Sequence, residues 1–196
     1  MIPITVLTGF LGSGKTTLLS HLLPHPEMGR TAVIINEFGE IGLDHELVET
    51  SEEDFVELTT GCLCCRLRDD LVLTIRDLLT RRQRGDVPVF EQILIETTGL
   101  ADPLPVLQTL ASDPVLAETT KLANVVTTVD ALLGLSTLSR FSESLRQVAV
   151  ADQLVFTKVD LAGDEAQQLR SKVRQLNPLA PQHSAIHGNI RPSLLL

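Results

Sequence analysis

The sequence contains no tryptophan and no tyrosine, and aromatic residues make up only 3% of its 196 residues. Proteins that bind single-stranded nucleic acid stack the bases on aromatic side chains, so this scarcity argues against such a surface. The formal net charge of −9 also argues against a nucleic-acid partner, because nucleic-acid-binding surfaces are basic. Arg81, Arg82 and Arg84 do form a basic cluster. They are predicted to end a helix, where cations complement the helix dipole.

Long apolar runs are also missing, since no stretch reaches the roughly 20 residues that a membrane-spanning helix needs. Strand-forming residues begin at Ile2, so the N-terminus does not look like a signal or transit peptide. We therefore expect a cytoplasmic protein with no membrane partner. The length and the hydrophobic fraction of 43% predict one globular domain over residues 1–196.

Cysteine is scarce, and the three cysteines lie together in Gly61-Cys62-Leu63-Cys64-Cys65. So closely spaced, they cannot form a disulfide framework. Three adjacent thiols in a cytoplasmic chain favour a site for a soft metal ion. Because tetrahedral Zn²⁺ takes four ligands, a fourth ligand or an open position is implied, and the carboxylate of Glu37 is the first candidate. Buried small hydrophobic residues or a redox switch are the alternatives.

The most informative stretch is Gly9-Phe10-Leu11-Gly12-Ser13-Gly14-Lys15-Thr16-Thr17, which matches the phosphate-binding pattern G-x-x-x-x-G-K-[ST]. An apolar strand over 2–8 precedes it and a helix over 18–23 follows it, which is the context that such a loop needs. Phosphate oxygens are expected to bind the backbone of Gly9, Gly12, Ser13, Gly14, Lys15, Thr16 and Thr17. Lys15 would also reach the β- and γ-phosphates, and the hydroxyl of Thr16 would bind Mg²⁺. A glycine-rich turn that merely joins a strand to a helix is the alternative.

Apolar strand patterns alternate with helix patterns along the chain, which predicts an α/β fold, in three layers with a mainly parallel β-sheet. Further strands are predicted over 30–36, 90–96, 121–129, 153–157 and 182–186. A short hairpin is predicted from 48–50 and 55–58. Helices are predicted over 66–82, 103–110, part of 142–150 and 164–177. The first of these helices would place Cys65 at a helix N-terminus, where the dipole favours a thiolate.

Two further motifs follow predicted strands. Glu96 ends an apolar strand and begins the pattern E-x-x-G, which predicts that its carboxylate holds Mg²⁺ or a water on that ion. Gly99 could then offer its N–H to the γ-phosphate and act as a hinge. An ordinary strand end followed by a turn is the alternative. No glutamine follows Gly99, so we expect slow intrinsic hydrolysis.

The second motif, Thr157-Lys158-Val159-Asp160, has the form [N/T]-K-x-D that is typical of guanine-specific GTPases. Asp160 can accept hydrogen bonds from N1–H and N2–H of guanine, a contact that adenine cannot make. The Lys158 stem would lie against the purine face. Thr157 stands where asparagine is usual, which puts one base contact in question.

Together these motifs resemble the CobW family of metal-linked GTPases, in the SIMIBI class of P-loop proteins. The matching segments are 9–17, 36–44, 61–65, 96–103 and 157–160. The resemblance implies slow GTP hydrolysis that is coupled to delivery of a divalent metal. Zinc is the commonest cargo in that family, and cobalt for cobalamin biosynthesis is another. It also implies that a smaller C-terminal domain usually follows a domain of this kind, which these 196 residues do not include.

The partners implied are a guanine nucleotide (GTP or GDP) with Mg²⁺, the cargo ion, and a recipient metalloprotein or metal-inserting enzyme. A nucleotide-dependent oligomer is a further expectation. Loops 36–44 and 97–102 are expected to become ordered around the γ-phosphate. Because the cysteines lie between these loops in the chain, their affinity for the metal should change with the nucleotide. Two other functions stay open: a nucleotide-dependent binding switch with a structural zinc site, and an ATP-using small-molecule kinase of the same fold.

Overall fold

A computed structural model describes residues 1–35 and 71–195, and between them the backbone of residues 55–57 and 63–66. The strands are β1 (Ile2–Gly9), β2 (Thr31–Ile35), β3 (Phe55–Glu57), β4 (Leu63–Arg66), β5 (Gln92–Glu96), β6 (Thr120–Asp130), β7 (Gln153–Thr157) and β8 (Gln182–Ala185). The helices are α1 (Lys15–Leu22), α2 (Leu71–Arg84), α3 (Pro103–Ser112), α4 (Pro114–Thr119), α5 (Gly134–Arg140), α6 (Ser142–Ala149) and α7 (Glu165–Leu176).

The strands form one sheet in the order β3-β4-β2-β5-β1-β6-β7-β8. All neighbouring pairs are parallel except β3 and β4, which are antiparallel. The predicted α/β fold with a mainly parallel sheet is therefore confirmed. Every strand from β5 through β8, together with β1 and β2, ends at the same edge, which is where parallel sheets place their binding sites.

Helices cover both faces of the sheet. Consecutive residues of a strand point to opposite faces, and β5 follows this rule: Leu94 joins one apolar cluster, while Ile93 and Ile95 join another. The first cluster packs against α1, and the second packs against α2. A third cluster joins β6 and β7 to α5, α6 and α7. These layers explain why the central strands are continuous runs of apolar residues.

The stretch around the cysteines corrects the sequence predictions. Arg66, which is predicted to begin a helix, is instead the last residue of β4, and the described part of that helix runs from Leu71 to Arg84. Cys64 and Cys65 also lie in β4, so the prediction that Cys65 starts a helix and gains from its dipole is wrong. β3 pairs with β4, and residues 48–50, the predicted partner of β3 in a hairpin, lie outside the described residues.

Two short helices, α4 and α5, were not predicted. The carboxylate of Asp113 accepts the N–H groups of Val115 and Leu116, which starts α4 directly after α3 ends. Asp102 starts α3 as predicted, because its side chain accepts the N–H of Leu104. Asp164 precedes α7 as predicted but makes no capping hydrogen bond. None of the described helices is long and apolar enough to cross a membrane.

Candidate functional site

The loop between β1 and α1 has the backbone of an anion-binding turn. Gly9, Gly12 and Gly14 have φ angles of 144°, 71° and 89°, values that side chains other than glycine rarely adopt. At Gly9 a Cβ atom would also lie 2.2 Å from Thr128 Oγ1, so only glycine fits there. The loop leads directly into the N-terminus of α1, where N–H groups are available to an anion.

Lys15 lies inside this loop and is almost completely buried. Its Nζ donates hydrogen bonds to the carbonyl oxygens of Gly9, at 2.9 Å, and Phe10, at 3.4 Å. The carbonyl groups of the loop itself therefore hold the ammonium group at the concave side of the turn. A phosphate in the turn would meet this charge and the N–H groups together.

The loop is held by residues of β6, which adjoins β1, and of β7, which lies next to β6. Ser13 Oγ lies 2.6 Å from Oγ1 of Thr128, near the end of β6. Thr157, the last residue of β7, donates its hydroxyl to the carbonyl oxygen of Ser13 at 2.7 Å. Thr157 thus holds the phosphate loop, which is a role that its hydroxyl can fill in place of an asparagine amide. Thr128 was not predicted, although its place at the end of a parallel strand beside β1 could have indicated it.

Lys158 and Asp130 form the other side of the site. Lys158 has a φ of 54°, and its Nζ donates to Asp130 Oδ2 at 2.7 Å. The other oxygen of Asp130 accepts the N–H groups of Leu132 and Leu133. This carboxylate therefore fixes the direction of the Lys158 side chain. The sequence marked Asp130 only as the end of a strand.

Asp160 is exposed in the turn that follows β7. The N–H of Leu161 donates to the carbonyl oxygen of Lys158 and closes this turn. The Asp160 carboxylate is thus accessible to solvent two residues after Lys158, whose side chain is fixed by Asp130.

Glu96 is the last residue of β5, pairs in register with Leu7 and is 1% exposed. The next residue, Thr97, donates its backbone N–H to the Leu7 carbonyl oxygen and its hydroxyl to Thr8 Oγ1. The start of the 97–102 loop is thereby attached to β1, directly before the phosphate loop.

Gly99 lies against the phosphate loop itself. A Cβ atom at this position would be 2.6 Å from the backbone nitrogen of Leu11. On its other side, the buried amide of Gln147 donates to the carbonyl oxygens of Gly99 and Ala101, both at 3.1 Å. Gln147 was not predicted to belong to the site, since nothing in its own neighbourhood in the sequence marks it.

The cargo site predicted from Glu37, Cys62, Cys64 and Cys65 falls largely outside the described residues. Only the backbone of β4 places Cys64 and Cys65, which pair in register with Val33 and Ile34 of β2. β2 is also the neighbour of β5, so Cys65 lies two strands, about 10 Å, across the sheet from Ile95, next to Glu96. Among the fully described residues, no group of three or more His, Cys, Asp or Glu side chains is arranged to hold a metal.

Comparisons with known proteins show the family to which the chain belongs. The family model of the CobW/HypB/UreG nucleotide-binding domain matches residues 3–184. The zinc chaperone YjiA of Escherichia coli K12 is 40% identical over 194 residues, which cover 99% of this chain and 60% of YjiA. The zinc-regulated GTPase metalloprotein activator 1 of Schizosaccharomyces pombe is 36% identical, over 96% of this chain and 47% of that protein.

A crystal structure of the Zn(II)-bound YjiA GTPase from E. coli superimposes with a TM-score of 0.83 and 38% identity, over 100% of this chain and 61% of that one. The chain thus spans about half to three fifths of the length of these relatives. With a matching family model over nearly all of its residues, the chain belongs to the CobW/HypB/UreG family of nucleotide-binding domains.

Proposed function

We propose that this chain is the GTPase domain of a metallochaperone that handles zinc. It binds GTP with Mg²⁺, hydrolyses it slowly, and uses the difference between GTP and GDP to control its hold on a divalent ion. The observation that carries the proposal is the convergence of three elements at one edge of the sheet. These are the phosphate loop, the Glu96 strand end and the Lys158–Asp160 turn.

The phosphate loop fits a nucleoside triphosphate with its metal. Lys15 already lies buried at the concave side of the turn, so it supplies positive charge to the β- and γ-phosphates without moving far. Thr16, the second residue of α1, supplies a hydroxyl to Mg²⁺. Glu96, at the end of the strand beside β1, holds Mg²⁺ or its water. Bound Mg²⁺ neutralises the charge that develops as the γ-phosphate leaves.

Guanine is read by the turn after β7. The Asp160 carboxylate accepts N1–H and N2–H of the base, while the stem of Lys158 lies along the ring. The hydrogen bond from Lys158 to Asp130 keeps the ammonium group away from the base and leaves the aliphatic stem facing it. Thr157 connects this turn to the phosphate loop through Ser13, so the base and the phosphates are bound by one connected unit.

The cargo ion is assigned to Cys62, Cys64 and Cys65, with Glu37 as the fourth ligand. Two of the relatives carry zinc in their names, which favours Zn²⁺ over Co²⁺. The ladder from β4 through β2 to β5 places the cysteine strand about 10 Å from the strand that ends in Glu96. A change at the γ-phosphate that moves loops 36–44 and 97–102 would therefore act on groups adjoining the cysteines.

Zinc titration by calorimetry, with GDP and with a non-hydrolysable GTP analogue, tests the coupling. We expect affinities that differ by about tenfold or more between the two nucleotides, which corresponds to about 1.4 kcal/mol. Replacing both Cys64 and Cys65 with serine should remove the high-affinity site. Equal affinities would instead indicate a structural zinc site in a GTPase, and the chaperone role would be abandoned.

Base selection is tested by nucleotide binding to the wild-type protein and to Asp160→Asn. An asparagine amide would oppose the N–H groups of guanine with its own N–H, so GTP affinity should fall about 100-fold or more. The affinity for XTP should rise, because xanthine has a carbonyl oxygen in place of the amino group of guanine and can accept the N–H of asparagine. The exposed Asp164 makes no capping bond and provides a matched control, since Asp164→Asn removes the same charge nearby. If the protein is instead a kinase that uses ATP, it should bind ATP tightly, and Asp160→Asn should leave its nucleotide affinity unchanged.

The remaining expectations stay predictions. These are a cytoplasmic location, a single domain over residues 1–196, a nucleotide-dependent oligomer and a recipient metalloprotein or metal-inserting enzyme.

A further inference from the structure

A cavity of about 190 Å³ lies beside the phosphate loop, on the face of the sheet that α5 and α6 cover. The outer side of the loop forms one wall and the end of β6 forms the floor. Much of its lining is apolar and comes from Phe10, Val129, Leu133, Leu138 and Val148. The cavity shares Gly12, Ser13 and Lys158 with the proposed nucleotide site, but the proposed binding of GTP, Mg²⁺ or zinc uses none of the apolar side chains of its lining.

One polar group in the cavity wall has an unused hydrogen-bonding atom. Gln147 lines the cavity and is 1% exposed. Its Nε2 donates to two carbonyl oxygens, those of Gly99 and Ala101, and this fixes which end of the amide is nitrogen. Its Oε1 is buried and accepts no hydrogen bond from the described part of the chain. Buried acceptors are almost always paired, so the atom indicates a missing donor.

The size and the lining of the cavity define what it can hold. A protein cavity of 150 Å³ lined by apolar side chains binds a benzene-sized molecule, so this one accommodates one or two fused rings. The two charged residues of the lining, Lys158 and Asp130, are paired with each other, so a charged molecule would lose its hydration here without gaining a free counter-ion. Because Gln147 Oε1 is the unpaired acceptor, a matching ligand carries one hydrogen-bond donor.

We propose that this cavity is a binding site for a small uncharged aromatic molecule that carries one N–H or O–H donor, which bonds to Gln147 Oε1. The site adjoins the proposed nucleotide site, but its hydrogen bond to Gln147 does not depend on which nucleotide the chain binds.

Occupation of the cavity acts on the nucleotide site through two contacts. Gln147 is the residue whose amide holds Gly99 and Ala101, so a ligand on its Oε1 stabilises the present position of the 97–102 loop. Phe10 of the phosphate loop lines the cavity and packs against Phe141, with ring centroids 4.6 Å apart. A bound ring beneath Phe10 supports the outer side of the loop.

Indole and benzofuran provide a matched pair of probes, because they have nearly the same shape and only indole has an N–H donor. The test follows backbone amide chemical shifts of the isotope-labelled 196-residue chain during titration with each probe. We expect shifts at Phe10, Leu138 and Val148 with indole, and binding of benzofuran about tenfold weaker. Hydrogen exchange of the 97–102 amides should become slower when indole binds.

Two variants separate the hydrogen bond from the cavity. Gln147→Leu removes the acceptor and should erase the preference for indole over benzofuran. Thr137 is half-buried in the cavity wall, and Thr137→Leu should block both probes by filling the space while Gln147 remains.

The inference is overturned if indole and benzofuran bind equally well, if the shifts fall elsewhere, or if neither binds, in which case water alone occupies the cavity. GTP binding is measured in parallel on the same samples. If the chain binds GTP but not indole, this inference is rejected and the proposed function is unaffected.

Discussion

At the scale of single residues, the site depends on close backbone approaches that only glycine permits. Gly99 shows this most clearly, because the nearest neighbours of an added Cβ all belong to Leu11, two of them backbone atoms. Backbone atoms cannot move aside as the tip of a flexible side chain can. The 97–102 loop and the phosphate loop are therefore in direct contact, and a shift of one displaces the other.

Gly99→Ala should destabilise the protein by about 1–3 kcal/mol and weaken GTP binding, because the added methyl group pushes the two loops apart. Urea unfolding and nucleotide titration measure the two effects. Gly163→Ala is the matched control, since an added Cβ there has no neighbour within 4 Å. That change should be neutral or slightly stabilising, because alanine lowers the conformational entropy of the unfolded chain. Equal unfolding midpoints for the two variants would show that the contact with Leu11 is easily relieved.

The sequence predicted the phosphate-loop residues because a local pattern carries their chemistry. Gln147 could not be found in this way, since the carbonyl groups that it binds lie 48 and 46 residues before it. Thr128 and Asp130 are intermediate cases. Their position at the end of a predicted parallel strand indicated a site, but their partners, Ser13 and Lys158, depend on the strand order.

At the scale of helices and strands, a single buried asparagine joins three elements. Asn177 follows α7, and its amide donates to the carbonyl oxygens of Val148 and Ala151, near the end of α6. Its Oδ1 accepts the N–H of Ala180, shortly before β8. The side chain thus satisfies backbone groups at a point where no regular structure does so.

Asn177→Ala should lower the free energy of unfolding by about 2–3 kcal/mol, because it leaves buried carbonyl and N–H groups without partners. Denaturant unfolding followed by circular dichroism measures the loss. The exposed Asn189 serves as control, and Asn189→Ala should change the free energy by less than about 0.5 kcal/mol. A similar small change for both variants would mean that water replaces the Asn177 side chain at little cost.

Strands with a continuous apolar run were predicted almost to the residue, whereas β4 was missed. Leu63–Arg66 contains two cysteines and an arginine, which do not form a strand pattern by themselves. Its strand structure comes from pairing with β2 and β3, and β2 is distant in sequence. The intrinsic β-propensity of a residue is a weak predictor where pairing with strands distant in sequence determines the structure.

At the scale of the whole molecule, the far edge of the sheet introduces a dependence of stability on pH. His183 of β8 lies with its Nε2 2.8 Å from Gln153 Oε1 of β7. Partial burial lowers the pKa of His183 below its ordinary value of 6.5. The unfolded chain therefore binds this proton more readily than the folded chain, and stability falls as the pH drops from 6.5 toward the folded pKa.

The difference in unfolding midpoint between pH 7.5 and pH 5.5 should therefore be smaller for His183→Gln than for the wild-type protein. Urea titrations at the two pH values provide the comparison, and carboxylates contribute equally to both proteins. His187→Asn, at an exposed position, should keep the wild-type difference. An unchanged difference in His183→Gln would assign the pH response to other groups.

The cysteine strand β4 has a neighbour on each side, β2 and β3. Its backbone hydrogen-bonding groups thus face strands of the sheet on both sides, so a protein that received an ion from the proposed cysteine site could not do so by adding a strand of its own alongside. Such a protein has to approach along the direction of the strands or across a sheet face. Approach from the carboxyl edge leads over the rim where the triphosphate is expected, so nucleotide exchange and ion transfer would compete for one entrance.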